Sequence, residues 1–193
     1  MKTDLILAGV GGQGIISIAA AIGKAALKEG FNMKQSEVHG MSQRGGAVQS
    51  HLRISSQDIA SDLIPLGKAS MIISVEPMES LRYLPYLSEE GWLVTSSNPF
   101  NNITNYPDLN ILLAEVRKVK NNMILDAESI AQDVGSARSS NMVILGAASN
   151  YIPLSESAFE WAIQEMFIKK GQELVTLNLK AFKLGREQCV TIQ

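Results

Sequence analysis

Four glycines crowd the run Gly9-Val10-Gly11-Gly12-Gln13-Gly14, which stands between the apolar stretch Leu5-Ile6-Leu7-Ala8 and an alanine-rich segment ending near Glu29. Few local structures accept so much glycine. A strand that turns sharply into a helix is one, because glycine reaches left-handed conformations and lets a ligand approach the main chain closely. The first N–H groups of the helix have no partner within it, and its dipole favours negative charge. The turn therefore predicts an anion site of phosphate size. Flanking strand and helix lift the G-x-G-x-x-G pattern above chance, while a turn that merely packs helix on strand is the plainer alternative.

Downstream, strands and helices alternate. Residues 14–29 read as a helix with Ile15, Ile18, Ala19, Ile22 and Ala26 on one face, stopped by Gly30. Residues 32–38 form a second strand, followed by the polar loop His39-Gly40-Met41-Ser42-Gln43-Arg44-Gly45-Gly46. Val48, Ser50, Leu52 and Ile54 then alternate with Gln49, His51 and Arg53, the period of a strand. Met71 to Val75 is a buried-strand run, and Glu76-Pro77 opens a helix carrying Leu81, Leu84 and Leu87. Further strands are expected at 92–95 and 123–126, and helices at 111–119, 127–134 and 141–150. This order predicts an α/β fold, Rossmann-like and doubly wound, with a mostly parallel sheet and ligands at the carboxyl ends of its strands. Both glycine loops follow strands, so they can meet there.

Two more helices close the chain. Leu154 and Phe159 flank the N-cap Ser155 as a hydrophobic staple, and Phe159, Ile163, Met166 and Phe167 share a face. After Gly171, Leu174, Leu177, Ala181 and Leu184 form a second stripe, with Val175, Leu179 and Phe182 beside it. Residues 1–193 are thus expected to make a single domain, with a C-terminal helical extension at about 154–187.

Composition removes several function classes. Seventeen Lys and Arg against nineteen Asp and Glu leave a net charge of −2, with no basic block for nucleic acid. No apolar run approaches the roughly 20 residues of a membrane span, so a cytoplasmic location is expected. Cys189 is the single cysteine, which excludes an internal disulfide and a cysteine-ligated cluster on this chain. No metal motif and no Ser-His-Asp order occurs. Any redox metal centre is expected on another chain.

Candidate site residues follow from the two loops. Gly9, Gly11, Gly12 and Gly14 would supply closely approached backbone and Gln13 a side-chain amide. Arg44 with Gly45 and Gly46 reads as an anion clamp, a planar guanidinium beside a nest of N–H groups; a solvated turn arginine is the alternative. Glu37 stands where a dinucleotide fold places its ribose carboxylate, and His39 has the chemistry of an acid–base group. His51 reads as structural. Glu76 can face the ligand crevice or cap a helix, Asp126 is an N-cap, and Asn141 reads first as a helix-start residue. The His39–Gly46 loop is no part of a dinucleotide fingerprint.

The motifs Gly9-Val-Gly-Gly-Gln-Gly14, Ser36-Glu37-Val38-His39-Gly40-Met41-Ser42-Gln43-Arg44-Gly45-Gly46 and Asn178-Leu-Lys-Ala181-Phe182 resemble the gamma-type subunits of 2-oxoacid:ferredoxin oxidoreductases. The middle motif has the form found in beta subunits of indolepyruvate ferredoxin oxidoreductases. The resemblance spans essentially the whole chain. It implies oxidative decarboxylation of an aryl 2-oxoacid with coenzyme A, electrons leaving to ferredoxin. Thiamine diphosphate and iron–sulfur clusters would sit on a larger partner subunit and none on this chain alone, with coenzyme A favoured over NAD at the glycine loops. Glu37 and His39 would lie toward the thiamine side. A stand-alone NAD(P)-binding reductase, a non-catalytic assembly subunit and the equivalent subunit of a pyruvate or 2-oxoglutarate complex are the competing readings. A homodimer of the isolated chain, formed through apolar surface on the last helices, is a further expectation.

Overall fold

The computed structural model describes residues 1–39, 45–101 and 103–189. Its strands are β1 (Lys2–Val10), β2 (Asn32–His39), β3 (Ala47–Ser55), β4 (Ala69–Ser74), β5 (Leu87–Ser96) and β6 (Asn121–Leu125). They form one six-stranded sheet in the order β2-β3-β1-β4-β5-β6. Strands β1, β4, β5 and β6 are parallel, whereas β3 runs antiparallel to both β1 and β2. The expected doubly wound α/β sheet is present, in mixed form. Loop length explains the difference: residues 40–46 are too few for a parallel crossover, which takes about a dozen or more, so β2 and β3 must make a hairpin.

Helices cover both faces: α1 (Ile15–Lys28), α2 (Pro77–Arg82), α3 (Leu109–Arg117), α4 (Ala127–Asp133), α5 (Ser140–Ser149), α6 (Glu156–Phe167) and α7 (Gln172–Glu187). Alternate strand residues feed two cores, as the strand period of two requires. Leu5, Leu7, Met71, Ile73, Val94 and Met123 pack with α1 and α4 to α7. Ile6, Ile72 and Leu93 pack on the other side with Val116 of α3 and the residues around α2. None of the described helices is long and apolar enough to cross a membrane.

Two elements depart from the sequence pattern. The helix opened by Pro77 stops at Arg82; Leu84–Tyr86 form a 3-10 turn and Leu87 begins β5. Pro85 fits this stop, since it has no N–H to give the Leu81 carbonyl and an α-helical ladder cannot run through it. On α7 the most buried residues are Val175, Asn178, Ala181, Phe182 and Gly185, so the helix is rotated from the leucine stripe toward the apolar residues beside it. Glycine sets that rotation. A Cβ at Gly146 of α5 would lie 2.0 Å from the Phe182 carbonyl oxygen, and one at Gly185 would lie 2.0 Å from that of Val143. The helices touch backbone to backbone. Asn178 enters this interface by donating from Nδ2 to the Leu174 carbonyl one turn back, at 2.7 Å. Leu177 and Leu184 are half-buried against the same core, whereas Leu174 of α7 and Ile168 in the turn before it are exposed.

His51 is structural, as its alternation suggests. Its Nδ1 accepts the Ile64 N–H at 3.0 Å and its ring meets Tyr86 edge-on. Burial pushes the imidazole below its ordinary value, against the opposing pull of Asp62. The folded state therefore takes up its proton at lower pH than the unfolded chain, and stability falls as pH drops below the unfolded value of about 6.5. We expect the urea midpoint to fall between pH 7 and 5.5, with a shallower fall in His51→Asn, whose Oδ1 can still accept from Ile64. Gly146→Ala should destabilise by at least about 1–3 kcal/mol in urea unfolding, because backbone atoms of α7 cannot step aside cheaply.

Candidate functional site

At the carboxyl end of β1 the chain enters α1 through two left-handed glycines, Gly12 at φ 105° and Gly14 at φ 84°. Gln13 closes the turn on itself: its N–H donates to the Val10 carbonyl at 3.1 Å, and its Oε1 accepts the Val10 N–H at 2.8 Å. The second glycine loop lies against the first. Gly11 N–H donates to Gly46 at 2.8 Å, and Gly45 N–H donates back to Gly11 at 3.3 Å, extending the β1–β3 ladder beyond Val10 and Ala47.

A cleft of 410 Å³ opens beside this turn, lined by Val10, Gly11, Gly12, Gly14, Ile15, Ile16, Ser17, Glu37 and Val48. Among the described residues no side chain caps α1. The amides of Ile15 and Ile16 thus end the helix without a side-chain partner at the cleft wall, where an anion would be favoured. A Cβ on Gly12 would meet nothing within 4 Å, so its main chain is open to the cleft. Ile16 and Val38, 62% and 57% exposed, add apolar surface at this end of the sheet. Glu37 forms another wall, in register with Ser50 of β3 and through it with Leu7 of β1. It is two strand spacings from β1, roughly 10 Å, whereas the ribose carboxylate of a dinucleotide fold stands on the adjacent strand.

A fully buried carboxylate organises the neighbouring loop. Glu76 caps α2 through Oε2, which accepts Glu79 N–H at 2.8 Å. Its Oε1 accepts the Phe100 N–H at 3.4 Å and the Tyr106 hydroxyl. Burial and then that carboxylate push the Tyr106 phenol well above its ordinary value. Glu79 beside it is raised by burial, with Arg82 pulling the other way. A larger cleft of 510 Å³ lies at the amino end of the sheet, but its polar groups satisfy one another. Arg53 there bonds Asp4 at 2.8 and 3.2 Å and the carbonyls of Ser61 and Leu63 at 2.8 and 3.0 Å.

A profile of the pyruvate ferredoxin/flavodoxin oxidoreductase family matches residues 4–188. The chain belongs to that family. It is 35% identical to indolepyruvate oxidoreductase subunit IorB of Archaeoglobus fulgidus, over 99% of this chain and 97% of that protein. Identity to the 2-oxoglutarate synthase subunit KorC of Methanothermobacter thermautotrophicus is 29%, over 97% of this chain and 95% of that protein. The gamma subunit of a keto/oxoacid ferredoxin oxidoreductase from Geobacter sulfurreducens superposes with a TM-score of 0.69 at 26% identity, covering 98% of this chain and 99% of that one. A 2-oxoglutarate:ferredoxin oxidoreductase chain from Magnetococcus marinus has a TM-score of 0.78 at 22% identity; all of this chain is covered, and 32% of that one. The motif-based resemblance is thus confirmed, and the chain is a subunit of a 2-oxoacid:ferredoxin oxidoreductase.

In this member of the pyruvate ferredoxin/flavodoxin oxidoreductase family, the candidate residues sort by position. Gly11, Gly12, Gly14 and Glu37 line one cleft, with Gly45 and Gly46 bonded to its floor. Gly9 lies beneath, where a Cβ would come within 2.5 Å of Val75 and 2.8 Å of Ile15, so its absent side chain serves packing. Gln13 turns toward a smaller 160 Å³ cavity with Val75, Ser96, Phe100 and Ser140. His39 closes β2 opposite Val48. Arg44, Gly40 to Gln43 and the His39 side chain lie outside the described residues. Asp126 caps α4 by accepting the Ser129 N–H. Sequence reasoning passed over Ile16, Ser17 and Val48, whose signal was their place directly after a glycine turn. Asn141 is the second residue of α5, as its helix-start reading expects, and its Nδ2 also reaches the Gly14 carbonyl.

Among the described residues no group of three or more His, Cys, Asp or Glu is placed to hold a metal ion. Tyr106→Phe should cost about 1–3 kcal/mol by leaving a buried carboxylate oxygen under-satisfied. Faster amide exchange at Phe100 would accompany the lower urea midpoint.

Proposed function

We propose that this chain is the non-cluster subunit of a thiamine diphosphate-dependent oxidoreductase acting on indolepyruvate or a related aryl 2-oxoacid, and that its glycine cleft binds coenzyme A. Substrate plus coenzyme A would give the aryl-acetyl thioester and carbon dioxide, with the electrons leaving to ferredoxin. The observation that carries the substrate reading is the 35% identity to an IorB subunit along almost the full length of both chains. Supporting the division of labour, the whole sequence holds one cysteine, fewer than the four that a cluster needs.

The residues present fit a phosphate-bearing co-substrate. The uncapped start of α1 supplies N–H donors, and the open main chain at Gly12 allows close approach. Arg44 would complete the anion contact from the adjoining loop. Glu37 would repel phosphate and so stands toward the thiamine side rather than at the diphosphate, while Ile16 and Val48 offer apolar walls. In this reading His39 and Glu37 face the partner's thiamine diphosphate, which supplies the electron sink for decarboxylation. A second reading, the matching subunit of a 2-oxoglutarate complex, is favoured by the KorC relatives, whose identity of 24% to 29% is lower.

The test is co-purification of the tagged chain with its large partner, then assay with coenzyme A, an artificial electron acceptor and either indolepyruvate or 2-oxoglutarate. Coenzyme A-dependent reduction with indolepyruvate is expected; activity with 2-oxoglutarate alone would transfer the chain to the second reading. Within the complex, Gly12→Ala should raise the KM for coenzyme A about tenfold, because a methyl enters the approach path and left-handed backbone costs about 1–3 kcal/mol outside glycine.

A further inference from the structure

The shape of the glycine cleft depends on a side chain that stands outside it. Asn141 is the second residue of α5 and is buried. Its Nδ2 donates to the Gly14 carbonyl at 3.2 Å across 127 residues of sequence. The same amide fills the space a Gly14 side chain would need, since a Cβ there would lie 2.4 Å from Nδ2 and 3.1 Å from Cγ. Gly14 enters α1 in a left-handed conformation, φ 84° and ψ 25°, where helix N-caps are ordinarily extended. Its carbonyl also accepts the Ser17 and Ile18 N–H groups at 3.0 and 3.2 Å.

Peptide planarity gives this contact its reach. The Gly14 carbonyl and the Ile15 N–H belong to one flat trans unit and point in opposite directions. A side chain that holds the carbonyl therefore aims the Ile15 N–H out of the helix end. Asn141 is well placed to do so, because α5 is locked to α7 by the backbone contacts at Gly146 and Gly185. A packed helix thus bears on the direction of donors in a glycine-rich turn.

We propose that Asn141 is a positioning residue of the cleft, holding the Gly14–Ile15 peptide so that the N–H groups at the start of α1 converge on the diphosphate of the co-substrate. The inference rests on the reading of the cleft as the coenzyme A site. Asn141 acts through Gly14 and touches no reacting atom.

Steady-state kinetics of the purified complex test it, with coenzyme A and the 2-oxoacid varied separately in Asn141→Ala, Asn141→Asp and Gly12→Ala. Asn141→Ala is expected to raise the KM for coenzyme A about tenfold, the equivalent of one lost hydrogen bond of alignment, and to leave kcat and the 2-oxoacid KM within about twofold. Asn141→Asp keeps the shape but sets a carboxylate against the Gly14 carbonyl, so its coenzyme A KM should rise further. If Asn141→Ala does not assemble, Asn141→Asp decides on the same readout. A raised KM in Gly12→Ala with none in the Asn141 variants overturns the positioning role and leaves the cleft reading intact. No rise in any of the three overturns both. A fall in kcat shared by both substrates, with KM unmoved, marks Asn141 as merely structural and also overturns the proposal.

Discussion

Two backbone hydrogen bonds, from Gly11 to Gly46 and from Gly45 to Gly11, hold the site together. They join loops that close different supersecondary units, the β1–α1 turn and the β2–β3 hairpin. Gly45 takes a left-handed φ of 75° at this seam, a conformation that favours glycine, although a Cβ on it would meet nothing within 4 Å. The cleft is the space left beside this seam, bounded by the end of α1 on one side and by Glu37 and Val48 on the other. Among the described residues that line it, glycine main chain stands beside the start of α1.

Much of this was legible in the residues. Strand–turn–helix at the N-terminus, the Ser155 cap and the Asp126 cap follow from local chemistry, which acts over a few residues. Direction and rotation were harder. The antiparallel course of β3 was implicit in the short 40–46 connection, a constraint on chain reach rather than on periodicity. The rotation of α7 was hidden because hydrophobic pattern favours its leucines, whereas contact is decided by Gly146 and Gly185, residues that pattern counts as neutral. Likewise the paired loops were foreseeable from their placement after strands, but the Asn141–Gly14 bond was not, since nothing local marks a partner 127 residues away.

Glu37 shows how a motif can mislead in detail and inform in general. Its position near the end of the second strand imitates a dinucleotide fold. Insertion of β3 between β1 and β2 moves it one strand outward, away from the place where it would take a ribose beside the pyrophosphate. It still lines the cleft, at the wall opposite the start of α1.

The long span between Asn141 and Gly14 also bears on how the molecule acquires its shape. Early in synthesis the glycine turn and α1 can form from neighbouring residues, but α5 is made only much later, and α7 later still. Closing contacts so distant along the chain costs more entropy than closing local ones. The Asn141 contact to Gly14 can close only once α5 packs against the end of α1, so this part of the turn belongs to the tertiary fold rather than to its own helix.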